Sequence, residues 1–299
     1  MALSAAGACA NLDVEAAIRF GVPKVFLRLV VLVSQIPGLT GVKELGALEI
    51  CAGKARITKA LRARGCCAVP YDNMTISPSM DLLTPLGFAL AVRLVLSLGR
   101  GALLWLAPPC SSWVWVNRAT SGRNQINWEG KKGLKYVAEA NRFVSRMALL
   151  LWIASYKGVV WVVEQPQSSV MGYHKRLQEI FRALRVHEAR VSLGAFRAPT
   201  RKNLRLWSQA MWIGELTRYK APSTFAERTA SRRINKHGFL VTDGNQKKLK
   251  QSQAYTRKFG RVVAALFLAH REKSVEEQAR GGEREGWLEV GATGGGQES

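Results

Sequence analysis

The chain has 299 residues, of which 47 % are hydrophobic, enough for the core of one large domain or two ordinary ones. Lys and Arg number 44 against 21 Asp and Glu, a formal charge of +23 that favours a polyanionic partner, nucleic acid ahead of an anionic membrane surface. The five cysteines (Cys9, Cys51, Cys66, Cys67 and Cys110) show no C-x-x-C spacing and the four histidines stand alone, so no zinc site can be read and a disulfide framework is not expected.

The first dozen residues are small and read as disordered; 14–36 reads as a helix broken at Pro23. Its most apolar run is Phe20–Gly38, but Pro23, Lys24 and Arg28 interrupt the start. The longest charge-free piece, Leu29–Gly41, is too short for a bilayer. No basic, cleavable leader is visible, so the expectation is a soluble protein of a reducing, intracellular compartment: the nucleus in a eukaryote, otherwise the cytoplasm.

From Ala47 short apolar strands alternate with longer amphipathic stretches. Strands are predicted at 47–50, 67–71, 102–107 and 159–164, and later around "RVSLGAF" (190–196) and "NLRLWS" (203–208). Helices are predicted at 57–65, at 85–99 with Pro85 near its start, at 135–158 and at 175–185. Near-continuously apolar strands separated by helices imply a doubly wound, mostly parallel α/β sheet. The composition then changes: Phe196–Arg261 holds sixteen Lys and Arg against three acidic residues, ahead of a closing helix at 259–270. That run is either a solvated face or a nucleic-acid groove. The tail from Ser274 holds two Arg and six Glu, a net −4, which leaves +27 of the total +23 on residues 1–273.

Three stretches carry chemistry. "LEICAGKARITKAL" (48–61) is strand, glycine turn, helix, the arrangement that sets a ligand against backbone N–H groups at a helix start. Asp72 ends the second strand 19 residues after Gly53, where a nucleotide-binding fold needs an acid for ribose hydroxyls, and Asp81 follows as a partner for an adenine amine. The glycine pattern is poor for a pyrophosphate and fits S-adenosylmethionine better. "LWLAPPCSSW" (104–113) ends a strand on two prolines and a thiol, and "EQP" (164–166) ends the next strand on a carboxylate. In a parallel sheet Cys110 and Glu164 emerge at one carboxyl edge, and the prolines stiffen the loop that carries the sulfur.

This pattern resembles the DNA cytosine-5 methyltransferase family. The counterparts are "LEICAGKA", Asp72, Asp81, "PPCSSW", "EQP", "PTRKNLR" (199–205) and "YTRKFGRVVAAL" (255–266), in order over roughly Ala47–His270. The resemblance implies a Rossmann-like methyltransferase fold, S-adenosylmethionine as cofactor, and nucleic acid as substrate, DNA ahead of RNA. It implies Cys110 as the nucleophile on carbon 6 of a flipped cytosine, Glu164 as the group that hydrogen-bonds the base, and Arg201 as a helper that lowers the thiol's pKa. It implies cofactor contacts from Glu49, Ala52, Gly53, Asp72, Asp81 and Pro108, and nucleic-acid contacts from Arg118, Arg123, Lys202 and Arg205. No metal is implied, and a monomer is expected.

The organisation that follows is an N-terminal segment at 1–40, a catalytic core at 41–207, a short basic recognition region at 208–254, the closing helix at 255–272 and a disordered tail at 273–299. Lys54 and Ala55 stand where the family carries its second glycine, and the short recognition region implies weak sequence specificity. "SSWVWVNRATSGRNQ" (111–125) reads as a mobile lid whose Arg118 and Arg123 touch phosphates; Trp113, Trp115 and Trp128 around it either pack or stack on bases. The reading from another class is a methyltransferase-like protein that binds nucleic acid without catalysis. An amino-methyltransferase fits less well, since Ala107 and Cys110 hold the places of its acid and aromatic, and a dehydrogenase lacks both its glycine fingerprint and its histidine.

Overall fold

The structure, a computed structural model, describes residues 22, 24, 28, 44–222, 230–238, 240–244 and 254–291. The expectations for the rest of the N-terminal segment and for 292–299 lie outside these residues. Lys24 and Arg28 are helical, and Val22 is buried in the core.

Six strands form one sheet: β1 (Leu45–Ile50), β2 (Ala68–Tyr71), β3 (Leu98–Leu106), β4 (Val160–Pro166), β5 (His187–Ser192) and β6 (Asn203–Ser208), in the order β2-β1-β3-β4-β6-β5. β1 runs parallel to β2 and β3, and β3 runs parallel to β4; β6 alone is reversed, antiparallel to both β4 and β5. The chain is therefore an α/β protein with a mostly parallel mixed sheet. The reversal has a local cause. The connection from β5 to β6 is a short turn segment, too brief for the helical crossover that parallel neighbours need.

Helices α1 (Arg56–Arg62), α2 (Pro85–Leu96), α3 (Lys135–Tyr156), α4 (Lys175–Ala183) and α5 (Arg257–Gly291) cover the two faces. α2 starts where the sequence indicates: the Thr84 hydroxyl accepts from Gly87 N at 3.0 Å and Pro85 opens the first turn. Strand alternation divides the core. Leu48, Ile50, Leu104, Leu106, Trp161 and Val163 pack with residues of α2, α3 and α4. Ala47, Leu103, Trp105 and Val162 pack instead with Ile57 and Leu61 of α1 and Phe259, Val263 and Phe267 of α5. The same period of two puts Glu49 and Glu164 on this second face. α1 and α5 touch closely at Gly260, where a Cβ would lie 2.4 Å from the Arg56 carbonyl oxygen.

Three details differ from expectation. The core extends past Trp207: a 3-10 segment at Met211–Arg218 buries Trp212, Ile213 and Leu216, so the start of the expected recognition region is core. Further along lies an antiparallel hairpin of β7 (Ala230–Ile234) and β8 (Leu240–Gly244). α5 continues to Gly291 through the start of the expected tail, where Glu, Gln, Ala and Arg at 276–280 favour helix. Among the described residues no helix is long and apolar enough to cross a membrane.

Candidate active site

The turn after β1 is built on left-handed backbone. Cys51, Gly53 and Ala55 have φ of 58°, 51° and 50°. Ala52 N donates to Tyr71 O at 3.3 Å and Gly53 N to Asp72 Oδ2 at 2.9 Å, which ties the turn to the end of β2. Asp72 Oδ1 accepts from Met74 N at 2.9 Å and Thr75 N at 2.8 Å, so this carboxylate also organises its own turn. Asp81 Oδ1 accepts from Leu83 N at 2.8 Å. Burial pushes the Cys51 thiol up, and the Asp72 and Asp81 carboxylates add to the rise, which places both acids around this turn. A Cβ on Gly53 would meet nothing within 4 Å, so the backbone there is open to a ligand. The strand itself contributes Glu49, 2 % exposed. Thr58 N and Thr58 Oγ1 donate to its Oε2 at 2.7 and 2.6 Å, while its Oε1 is buried with no hydrogen-bond partner. Burial raises its pKa against the opposing pull of Thr58.

The Pro-Pro-Cys loop leaves β3 beside the end of β4, since Leu106 pairs with Val163 in the parallel ladder. Pro108 is buried, and its carbonyl accepts from Gln165 Nε2 at 2.7 Å; Ser169 Oγ donates to Gln165 Oε1 at 2.9 Å. Gln165 therefore clamps the loop to the strand that carries Glu164. Cys110 is partly buried, and Trp113 N and Val114 N donate to its carbonyl. Burial pushes its thiol up, the Lys202 ammonium draws it back, and the Glu164 carboxylate adds to the rise. Cys110, Glu164 and Lys202 thus form one electrostatic group at the sheet edge. Glu164 is 5 % exposed; Tyr255 donates to its Oε2 at 2.7 Å, and its Oε1 is buried without a partner.

The cationic residues fall into different places. Lys202 is the charge that favours the thiolate, a role expected of Arg201. Arg201 is exposed and donates to Pro222 O at 3.3 Å. Arg123 does not face a polymer: it is 1 % exposed, its guanidinium lies 3.5 Å over the Trp113 ring, and it donates to Asn141 Oδ1, Val137 O and Trp128 O. Arg118 reaches Ser168 O at 3.4 Å and spans the loops after β3 and β4. Arg205 sits within the sheet, ion-paired with Glu188 at 3.4 Å. Trp113 is core and Trp128 packs on the buried His174, whose pKa burial lowers to about 3, so both packing readings hold. The expected lid is pinned along this side.

Sequence reasoning missed Tyr255, Thr58 and Gln165 as parts of the site. Gln165 was visible beside Glu164; Thr58 lies on the helix face that returns over β1. Among the described residues no group of three or more His, Cys, Asp or Glu could hold a metal ion. Compared with known proteins, the chain matches no family model and no curated protein.

Proposed function

We propose that the chain is an S-adenosylmethionine-dependent methyltransferase acting on carbon 5 of cytosine in nucleic acid, DNA ahead of RNA. One observation carries the reading: Cys110, in the loop after β3, and Glu164, near the end of the neighbouring parallel β4, come together closely enough that the carboxylate acts on the thiol. The residues at the end of β1 fit the cofactor. The unpartnered Glu49 Oε1 suits an amine, the open Gly53 backbone admits a close approach, and Asp72 and Asp81 suit the adenosine end. When bound, S-adenosylmethionine supplies an electrophilic methyl group.

The chain's own part follows from its residues. The Cys110 thiolate adds to carbon 6, and the ring electron pair moves to carbon 5, which accepts the methyl group. Glu164 Oε1 accepts from the exocyclic amine and holds the base in line for attack. Loss of the carbon 5 proton to solvent restores the double bond and expels Cys110 as thiolate. Lys202 favours that thiolate at both ends of the cycle.

The test is covalent trapping on oligonucleotides containing 5-fluorocytosine, which blocks the last elimination. The expected result is a denaturation-resistant adduct that needs S-adenosylmethionine, forms faster as pH rises, and disappears in Cys110→Ala. A second reading, nucleic-acid binding without catalysis, is favoured by the raised thiol of Cys110. Salt-dependent binding with no adduct on any DNA or RNA establishes it instead.

A further inference from the structure

We propose that Tyr255 is a positioning residue for Glu164: its hydroxyl occupies Oε2, so that Oε1 alone meets the base. The inference rests on the methyltransferase reading and adds to it how the carboxylate is aimed.

The direction of the hydrogen bonds is fixed by chemistry. Trp105 Nε1 can only donate, and it lies 3.1 Å from the Tyr255 oxygen. The phenol proton therefore goes to its other neighbour, Glu164 Oε2, at 2.7 Å. The ring is held as firmly as the hydroxyl. It sits edge-on to Trp105 with centroids 6.1 Å apart and lies 4.9 Å from Phe259. Next in the chain, Thr256 caps α5: its Oγ1 accepts from Phe259 N at 3.0 Å and donates to Phe196 O at 2.6 Å. Docking of the closing helix thus fixes where Tyr255 lies, and Tyr255 fixes Glu164.

With Oε2 engaged by the Tyr255 hydroxyl, Oε1 is the oxygen left without a partner to meet the base. Oε1 is buried and unpartnered, and as an anion it accepts. It suits the exocyclic amine of cytosine and repels the carbonyl that uracil or thymine presents at the same place. Tyr255 on this account contributes to base choice. The charged and titratable groups facing this pair are Cys110 from the loop after β3, which Lys202 ahead of β6 faces in turn, and Glu49 on β1, which acts on the tyrosine.

The experiment uses the full chain with Tyr255→Phe, which keeps the ring and removes the hydroxyl. Near-ultraviolet circular dichroism and a cooperative melt establish the fold. Binding of a cytosine-containing oligonucleotide should stay within about twofold, because the phenol touches no nucleic acid. The rate constant for adduct formation on 5-fluorocytosine DNA should fall by about tenfold or more. The carbon-13 carboxyl resonance of Glu164, read at one fixed pH, should move, because the carboxylate loses a donor. A folded variant with unchanged rate and unchanged resonance overturns the proposal. If the wild type forms no adduct at all, the methyltransferase reading fails, and the same resonance decides the positioning separately: it moves in Tyr255→Phe if the tie is real and stays put if it is not. If Tyr255→Phe does not fold, 3-fluorotyrosine placed at 255, a stronger donor, should move the resonance the opposite way; no movement overturns the proposal.

Discussion

Arg123 and the two carboxylates Glu49 and Glu164 are all charged and almost fully buried, yet they are satisfied in different ways. Arg123 spends its terminal nitrogens on Trp128 O, Asn141 Oδ1 and Val137 O and lays its plane on Trp113. Glu49 and Glu164 each have one oxygen anchored, by Thr58 and by Tyr255, and the other bare. Arg123 also keeps one buried nitrogen, Nε, without a partner, but three protein acceptors and a ring face hold its charge, which serves the fold; a carboxylate with one of its two oxygens bare at a sheet edge waits for a ligand donor. Arg123 lies in the chain between Glu49 and Glu164, so the comparison separates a scaffold from a site within one stretch of sequence.

The largest effect should come from the scaffold. Arg123→Ala strips partners from one buried and two partly buried oxygens and from the face of Trp113, and should cost about 3 kcal/mol in urea unfolding. The salt slope of nucleic-acid binding should not change. A stable variant with a flatter slope would mean that Arg123 reaches a polymer after all, and the comparison would break.

The site should respond in the opposite sense. Burial holds the Glu49 carboxyl above its ordinary range, so the folded chain keeps a proton that the unfolded chain has already released. The stability this contributes is full at low pH, below the unfolded carboxyl's titration, and is lost as pH rises through the folded value. Glu49→Gln has no such proton. The variant should therefore gain on the wild type as pH rises from about 4 to about 7, by about 1 kcal/mol. Its affinity for S-adenosylmethionine should fall at the same time. Parallel stability profiles would mean that Oε1 is not a cost to the fold.

Much of the fold was legible because its cause is local. The strand "NLRLWS" and the proline start at Pro85 follow from residue type and spacing, and Cys110 and Glu164 were visible as polar residues that end apolar strands. The reversal of β6 was not legible, since strand direction depends on what the connection packs against. Tyr255 lay in plain view, but its partner Glu164 stands 91 residues away, and no pattern in the sequence links them. Arg123 misled for a related reason. A cation in a polar, glycine-containing loop reads as exposed until α3 is seen to bring Asn141 and the Val137 carbonyl against it.

The smallest effect concerns the turn that Lys54 and Ala55 make in place of a glycine. Ala55 is buried and left-handed at the start of α1, a conformation that costs a non-glycine residue about 1 kcal/mol or more. Ala55→Gly removes that strain but loses a buried methyl and loosens the unfolded chain, each worth under about 1 kcal/mol. The sum should lie within about 0.5 kcal/mol of zero. Ala60→Gly, five residues along within α1, loses a methyl and gains the same unfolded freedom with no strain to relieve, and should cost about 1 kcal/mol or more. The difference between the two variants in denaturant unfolding therefore isolates the strain at Ala55. Equal losses at both positions would mean that the turn tolerates alanine freely, and that the missing glycine has left no mark on the cofactor side of the site.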